Sequence, residues 1–248
     1  MTPLEALILG CIQGLTEFLP VSSSGHLLFA SRLFGLRGGF IDFAVAAHLG
    51  SLAAVLLFVR GELASMLKGM QAKAVLRLAV ATLPAAAAGV LLKEVLVPYW
   101  GWQLAAAFAL TALLCATIPK GGKRQWRGLG VGALLFVGAF QAAALVPGVS
   151  RSGATIWAAL AAKLKRSEAL NFSFLLAAIA IAGASFLRAP HITKALRLHP
   201  ESMALLVLAS FVSSLCALYL LRFLVLRLKL WLFSFYLLAL AVLSAVLI

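Results

Sequence analysis

Charge is what this sequence has least of, and negative charge least of all. Seven acidic residues stand against 21 Lys and Arg, and charged residues make up only 11% of the 248. Soluble domains carry roughly a quarter, so a water-soluble surface is excluded. Cysteine is scarce too. Cys11, Cys115 and Cys216 are scattered inside apolar segments, where such residues act as small hydrophobes, and no spacing suits a disulfide framework or a zinc site. The ten-residue alternation of an outer-membrane barrel is missing. No Lys or Arg precedes Arg32, so the first apolar run lacks the basic start of a cleavable signal.

Apolar runs are what the chain does have. Hydrophobic residues reach 64%, with a mean hydropathy of +1.08. Runs near the roughly 20 residues that cross a bilayer as a helix cover about 41–59, 74–92, 100–118, 169–187, 202–221 and 230–248. The net charge of +14 would point to nucleic acid in a soluble protein. Here the basic residues sit in short loops between apolar spans, as the positive-inside rule expects, and no nucleic-acid partner is expected. The fold class is an all-α polytopic membrane protein in one integral membrane domain, 1–248.

Two stretches interrupt the apolar pattern. Thr2 and Pro3 make a cap and first helical position, and that helix must stop before Pro20. Val21 to Gly25 is turn-like, a short helix covers 26–34, and a glycine-rich loop covers 33–39. The second stretch runs 128–146, breaks at Pro147-Gly148-Val149-Ser150-Arg151-Ser152-Gly153, and continues to Leu164. Each reads as a re-entrant helical hairpin, broken where protein or water can satisfy the backbone. A shift of 128 residues lays Gly10 on Gly138, Gln13 on Gln141, Val21 on Val149, Ser22 on Ser150, Ser24 on Ser152 and Gly25 on Gly153. Hairpin plus three spans, twice over, gives repeat halves of about 1–119 and 128–248. Three spans per half invert the second, a transporter-like arrangement in which the two polar turns converge.

Charge sets the orientation. Fourteen Lys and Arg fall at one end, in the 60–77, 120–127, 163–166 and 222–229 regions, and six at the other, with Arg151 set aside. The richer end is expected in the cytoplasm, so the first turn is expected to open to the outer face, which on the family resemblance given below is that of a bacterial inner membrane.

Glu17 and Arg151 are ionisable residues at membrane depth, where charge marks function by default; the bland alternative is a buried pair that only fixes the fold. Ser22-Ser23-Ser24-Gly25 and Ser150-Arg151-Ser152-Gly153 each precede a short helix. Helix-start N–H groups, hydroxyls and glycine suit an anion, and Arg151 adds a fork matched to phosphate oxygens. Capping alone explains one serine per turn, not five hydroxyls and an arginine at paired positions. Two such cradles suit a diphosphate. His26 could be a general acid, base or nucleophile, or merely hydrogen-bonded. Gln13 lies one helical turn before Glu17 and supplies only a neutral oxygen, so a divalent cation (Mg or Ca) on Glu17 is allowed but not secured. His48 reads as a helix-contact hydrogen bonder beside Gly50 and Ser51, His191 and His199 as loop residues, and Trp100, Trp102 and Trp126 as interfacial anchors.

At the stretches from Gln13 to His26 and from Pro147 to Thr155, the chain resembles the undecaprenyl-pyrophosphate phosphatases, the bacitracin-resistance family of bacterial membranes. His48-Leu49-Gly50-Ser51 and Phe172-Ser173-Phe174-Leu175-Leu176 extend the resemblance. It implies removal of the terminal phosphate from a C55 polyprenyl diphosphate, recycling the lipid carrier for cell-wall synthesis, with activity linked to divalent cations. It also implies six spans plus two re-entrant hairpins, with Glu17, Ser23, His26 and Arg151 at the reaction centre. Around them Gln13, Ser22, Ser24, Ser150 and Ser152 are expected to bind substrate. Two positions depart from the family pattern: Gln13 where glutamate is common, and Ile179 where proline is usual. Either Ser23 or a water held by Glu17 attacks phosphorus, and His26 relays a proton or is itself the nucleophile. The expected partners are the polyprenyl diphosphate and membrane lipid; a homodimer stays open. The competing class is a polyprenyl-phosphate transporter or flippase using the same anion site. A mere membrane scaffold leaves the polar turns unexplained.

Overall fold

A computed structural model describes residues 2–33, 40–69, 71–91, 101–198 and 200–247, and side chains there outside 30–44 and 195. The described chain is helical throughout: α1 (Pro3–Phe18), α2 (Ser23–Leu33), α3 (Phe40–Phe58), α4 (Arg60–Lys68), α5 (Ala72–Leu91), α6 (Gly101–Ala116), a 3-10 turn (Trp126–Gly128), α7 (Val131–Ala143), α8 (Arg151–Ala161), α9 (Arg166–Leu187), α10 (Ala189–Leu198), α11 (Pro200–Leu226) and α12 (Leu232–Leu247). Thr2 and Glu5 close a reciprocal capping box on α1, with Pro3 at its first position. All six expected spans fall on helices. Among the described residues α5, α9 and α11 are long and apolar enough to cross a bilayer, and α3 with α4, bent by 62°, brings the number to four. Phe186 (81% exposed) and Val90 (69%) stand outward with many other large apolar side chains. Patches this broad are rare on soluble proteins; this is a membrane protein.

Helices α1 and α7 each pack along a helix distant in sequence. Helix α1 lies along α11 so closely that a Cβ on Gly10 would meet the Leu206 carbonyl at 2.5 Å and the Ala209 Cβ at 2.8 Å. Ser213 Oγ donates to the Gly10 carbonyl at 3.3 Å and Ser214 Oγ to that of Gly14 at 3.4 Å. Helix α7 lies along α5 in the same way, with Gly138 against the Ala81 carbonyl and the Pro84 ring. Small residues at such seams let membrane helices approach and gain dispersion contacts. Gly10 and Gly138 are 128 apart, as are Ala81 and Ala209, so the two seams use positions that the 128-residue shift matches.

The two ends of the bundle differ. Ala6 at the start of α1 packs with Ala46, Ala47, Ile192, Met203 and Leu206. At the other end the basic regions gather: Lys165 N–H donates to the Arg124 carbonyl at 2.9 Å, Arg166 Nη1 to that of Leu226 at 2.7 Å, and Arg127 pairs with Glu62 at 2.8 Å.

Two expectations need correction. The stretch around His191, read as a loop, contains α10. Pro190 falls in its first turn, where proline is tolerated, and Ile192 is buried against α3 and α11 while Lys194 and Arg197 stay exposed. Trp126 is not an interfacial anchor. It is buried, its ring stacked on Phe172 at 5.5 Å, and its backbone N–H donates to the Glu168 carboxylate. Arg127 folds over its ring, so the basic loop turns inward and seals the bundle. Trp102 is exposed as expected. Trp100, His199 and the 34–39 part of the glycine-rich loop lie outside the described residues.

Candidate active site

Proline ends the first helix and builds the first turn. Helix α1 stops at Phe18, the backbone turns through Pro20, and Ser22 takes a left-handed conformation (φ 68°). Ser22 Oγ accepts from the N–H of Gly25 at 3.3 Å, capping α2, and from the N–H of Gly148 at 3.2 Å. The second turn repeats this, with Ser150 Oγ accepting from the N–H of Gly153 at 3.2 Å. Gly148 is at φ 97°, and a Cβ there would meet that of Ala107 at 2.6 Å; only glycine fits. Thr111 on α6 holds the second turn, donating to the Gly148 carbonyl at 2.9 Å and accepting from the Ser150 N–H at 3.1 Å. Ser152 Oγ donates to the Leu19 carbonyl at 3.2 Å. The two turns therefore touch.

Glu17 is the centre of the charged cluster. One carboxylate oxygen pairs with the Arg151 guanidinium. The other accepts from Ser23 Oγ at 2.6 Å and from Gln13 Nε2 at 2.8 Å. Arg151 spends its other terminal nitrogen on the Ala177 carbonyl of α9 at 3.0 Å. Gln13 Nε2 also donates to His48 Nδ1 at 2.8 Å, and that nitrogen lies 3.5 Å from Glu17. Glu17 and Gln13 are buried, Ser23 and Arg151 partly so. A carboxylate in this environment is tolerable only because its lone pairs are used.

His26 faces elsewhere. Its Nδ1 lies 2.8 Å from the Ser22 carbonyl, an obligate acceptor, so Nδ1 carries the proton. Nε2 is then the lone-pair nitrogen of the neutral ring, and it meets the Tyr236 hydroxyl at 2.7 Å. The Tyr236 ring stacks on the imidazole at 5.7 Å, and Phe108 presents its edge at 5.8 Å.

The structure thus brings Gln13, Glu17, Ser23 and Arg151 into one hydrogen-bonded group, with His26 at the other side of the same turn. Ser22, Ser150 and Ser152 are buried and committed to backbone partners, while Ser24 is exposed. Sequence reasoning gave His48 its contact role but not its partner, and it missed Tyr236, Thr111 and the Ala177 carbonyl. None of these carries a motif; only its place between Gly50 and small polar neighbours set His48 apart.

For a divalent cation the fit is poor. Both Glu17 oxygens already accept from Arg151, Ser23 and Gln13, and Arg151 already supplies positive charge beside the carboxylate. Gln13 Oε1, buried without a partner, is the one spare oxygen, whereas Mg or Ca wants roughly six or more. Among the described residues no three His, Cys, Asp or Glu cluster.

Comparison with known proteins gives one family. The family described as Bacitracin resistance protein BacA matches residues 6–243. Undecaprenyl-diphosphatase 4 of Bacillus thuringiensis (strain Al Hakam) is 42% identical over 194 residues, 76% of this chain and 74% of its own length. Undecaprenyl-diphosphatase of Thermosipho africanus is 35% identical over 247 residues, 96% of this chain and 97% of its own. That of Alcanivorax borkumensis is 40% identical over 201 residues, 74% and 75%.

Proposed function

The chain belongs to the bacitracin resistance protein BacA family, and from that membership we propose that it hydrolyses undecaprenyl diphosphate to the monophosphate, returning the lipid carrier to cell-wall synthesis. The observation that carries the chemistry is the 2.6 Å contact from the Ser23 hydroxyl to Glu17, whose other oxygen holds Arg151. A hydroxyl aimed at a carboxylate, beside a guanidinium, is a nucleophile, a proton acceptor and an anion clamp in one cluster.

In this reading the diphosphate attracts Arg151 and loosens its hold on Glu17, freeing that carboxylate to take the Ser23 proton. Ser23 Oγ attacks the terminal phosphorus, and the bond from phosphorus to the bridging oxygen breaks. Undecaprenyl phosphate leaves; water, its proton taken by His26 Nε2, then hydrolyses the phosphoserine, and Glu17 returns its proton to Ser23 Oγ. Positioning and charge neutralisation supply most of the acceleration, as in other phosphoryl transfers. Ser24 and the N–H groups at the start of α2 are the remaining donors within reach of a phosphate, and the capping serines keep the turns in shape. No step runs through a metal ion. The six-span reading with two re-entrant hairpins in an inverted repeat accommodates the prenyl tail between helices, in lipid contact. The fourteen-to-six charge bias supports a bacterial inner membrane with the first turn approached from outside. Ser23 held on Glu17 beside Arg151, in a chain whose relatives are named undecaprenyl-diphosphatase, favours hydrolysis over transport.

Phosphate release from undecaprenyl diphosphate by the purified protein tests this. Ser23→Ala should lose at least 100-fold in kcat, on the order of removing a covalent nucleophile, with KM little changed. Lipid movement across vesicles with no phosphate release would overturn it.

A further inference from the structure

Tyr236 has no structural need of its hydroxyl. It sits on α12 among lipid-facing side chains, with Phe235 67% and Leu238 49% exposed, and is itself half exposed. A phenylalanine would fill the same space. A phenol in that setting is stabilised only by a partner for its O–H, and the partner is His26 Nε2. Two residues earlier Ser234 Oγ donates to the Ala112 carbonyl at 2.9 Å. That bond pins α12 to α6, the helix that carries Phe108, so the phenol is delivered by two packed helices rather than by a loop.

The imidazole needs such a neighbour. Backbone hydrogen bonds to Ser22 and Val21 hold the ring at one edge only; the Phe108 edge and the stacked Tyr236 ring fix the rest of it. The hydroxyl serves both protonation states of the histidine, donating to neutral Nε2 and accepting from it once it carries a proton.

We propose that Tyr236 is a positioning residue for His26, holding the ring, whose Nδ1–H is set by the Ser22 carbonyl, with Nε2 ready to receive and return a proton. This rests on the reading of His26 as part of the reacting centre. The test compares kcat and KM for phosphate release from undecaprenyl diphosphate by wild type, Tyr236→Phe, His26→Ala and the double variant. Tyr236→Phe keeps the ring and should lower kcat about 5- to 30-fold, the worth of one hydrogen bond, with KM little changed. Added to His26→Ala it should cost nothing further, because the two act as one unit. Wild-type kcat in Tyr236→Phe beside a crippled His26→Ala overturns this inference alone, as does an equal loss in the His26→Ala background. Full turnover by His26→Ala removes His26 from the centre and this inference with it.

Discussion

Arg151 has two obligations that a substitution separates. It neutralises a buried carboxylate and it offers a planar fork to phosphate. Arg151→Ala strands Glu17 without its counter-charge, so lost turnover should come with about 3–5 kcal/mol of lost stability. Arg151→Lys keeps the charge and loses the fork; it should melt close to wild type in detergent yet turn over at least 10-fold more slowly. Thermal midpoints beside phosphate release separate the two effects. Glu17, Ser23 and Arg151 were legible in the sequence because charge and hydroxyls stand out against an aliphatic background. The direction His26 faces was not, because its partner Tyr236 lies 210 positions away in an otherwise unmarked helix. Matched positions also differ where chemistry is divided. Glu17 falls on Leu145 and His26 on Ala154, so the second turn brings Arg151 but neither a carboxylate nor an imidazole.

Helices meet here through small residues, so contact distance is set by what is missing from a side chain. A Cβ on Gly14 would run into Ser213 Oγ and the Ser210 carbonyl, whereas Gly132 on α7 has open space around it. Gly14→Val should cost about 1–3 kcal/mol or more by overpacking, read as a lower thermal midpoint. Gly132→Ala should be neutral or stabilising by up to about 1 kcal/mol. Long apolar helices announced themselves by composition, and the proline-ended α1 by its punctuation. Helix α10 did not, because it is ten residues long and its charged residues made it look like a loop. What marks it as an element is the burial of Ile192 against α3 and α11, a tertiary fact.

The whole molecule has one strongly basic end, and its four basic regions are tied together by Arg127, Lys165 and Arg166. In a variant free of Cys11, Cys115 and Cys216, a cysteine at Lys123 should resist an impermeant maleimide on intact cells and react after permeabilisation. A cysteine at Lys194 should react from outside. The reverse pattern would overturn the proposed orientation.

The packing of α1 along α11 also has a consequence in time. A ribosome delivers α1 long before α11, the helix that receives it; Ser213 bonds to Gly10 across 203 positions, and Arg151 reaches Glu17 across 134. During that interval the nascent first half holds an uncompensated carboxylate. The Glu17–Arg151 pair is therefore among the last contacts the membrane sees completed, and a chain halted midway through synthesis carries Glu17 and Ser23 without it.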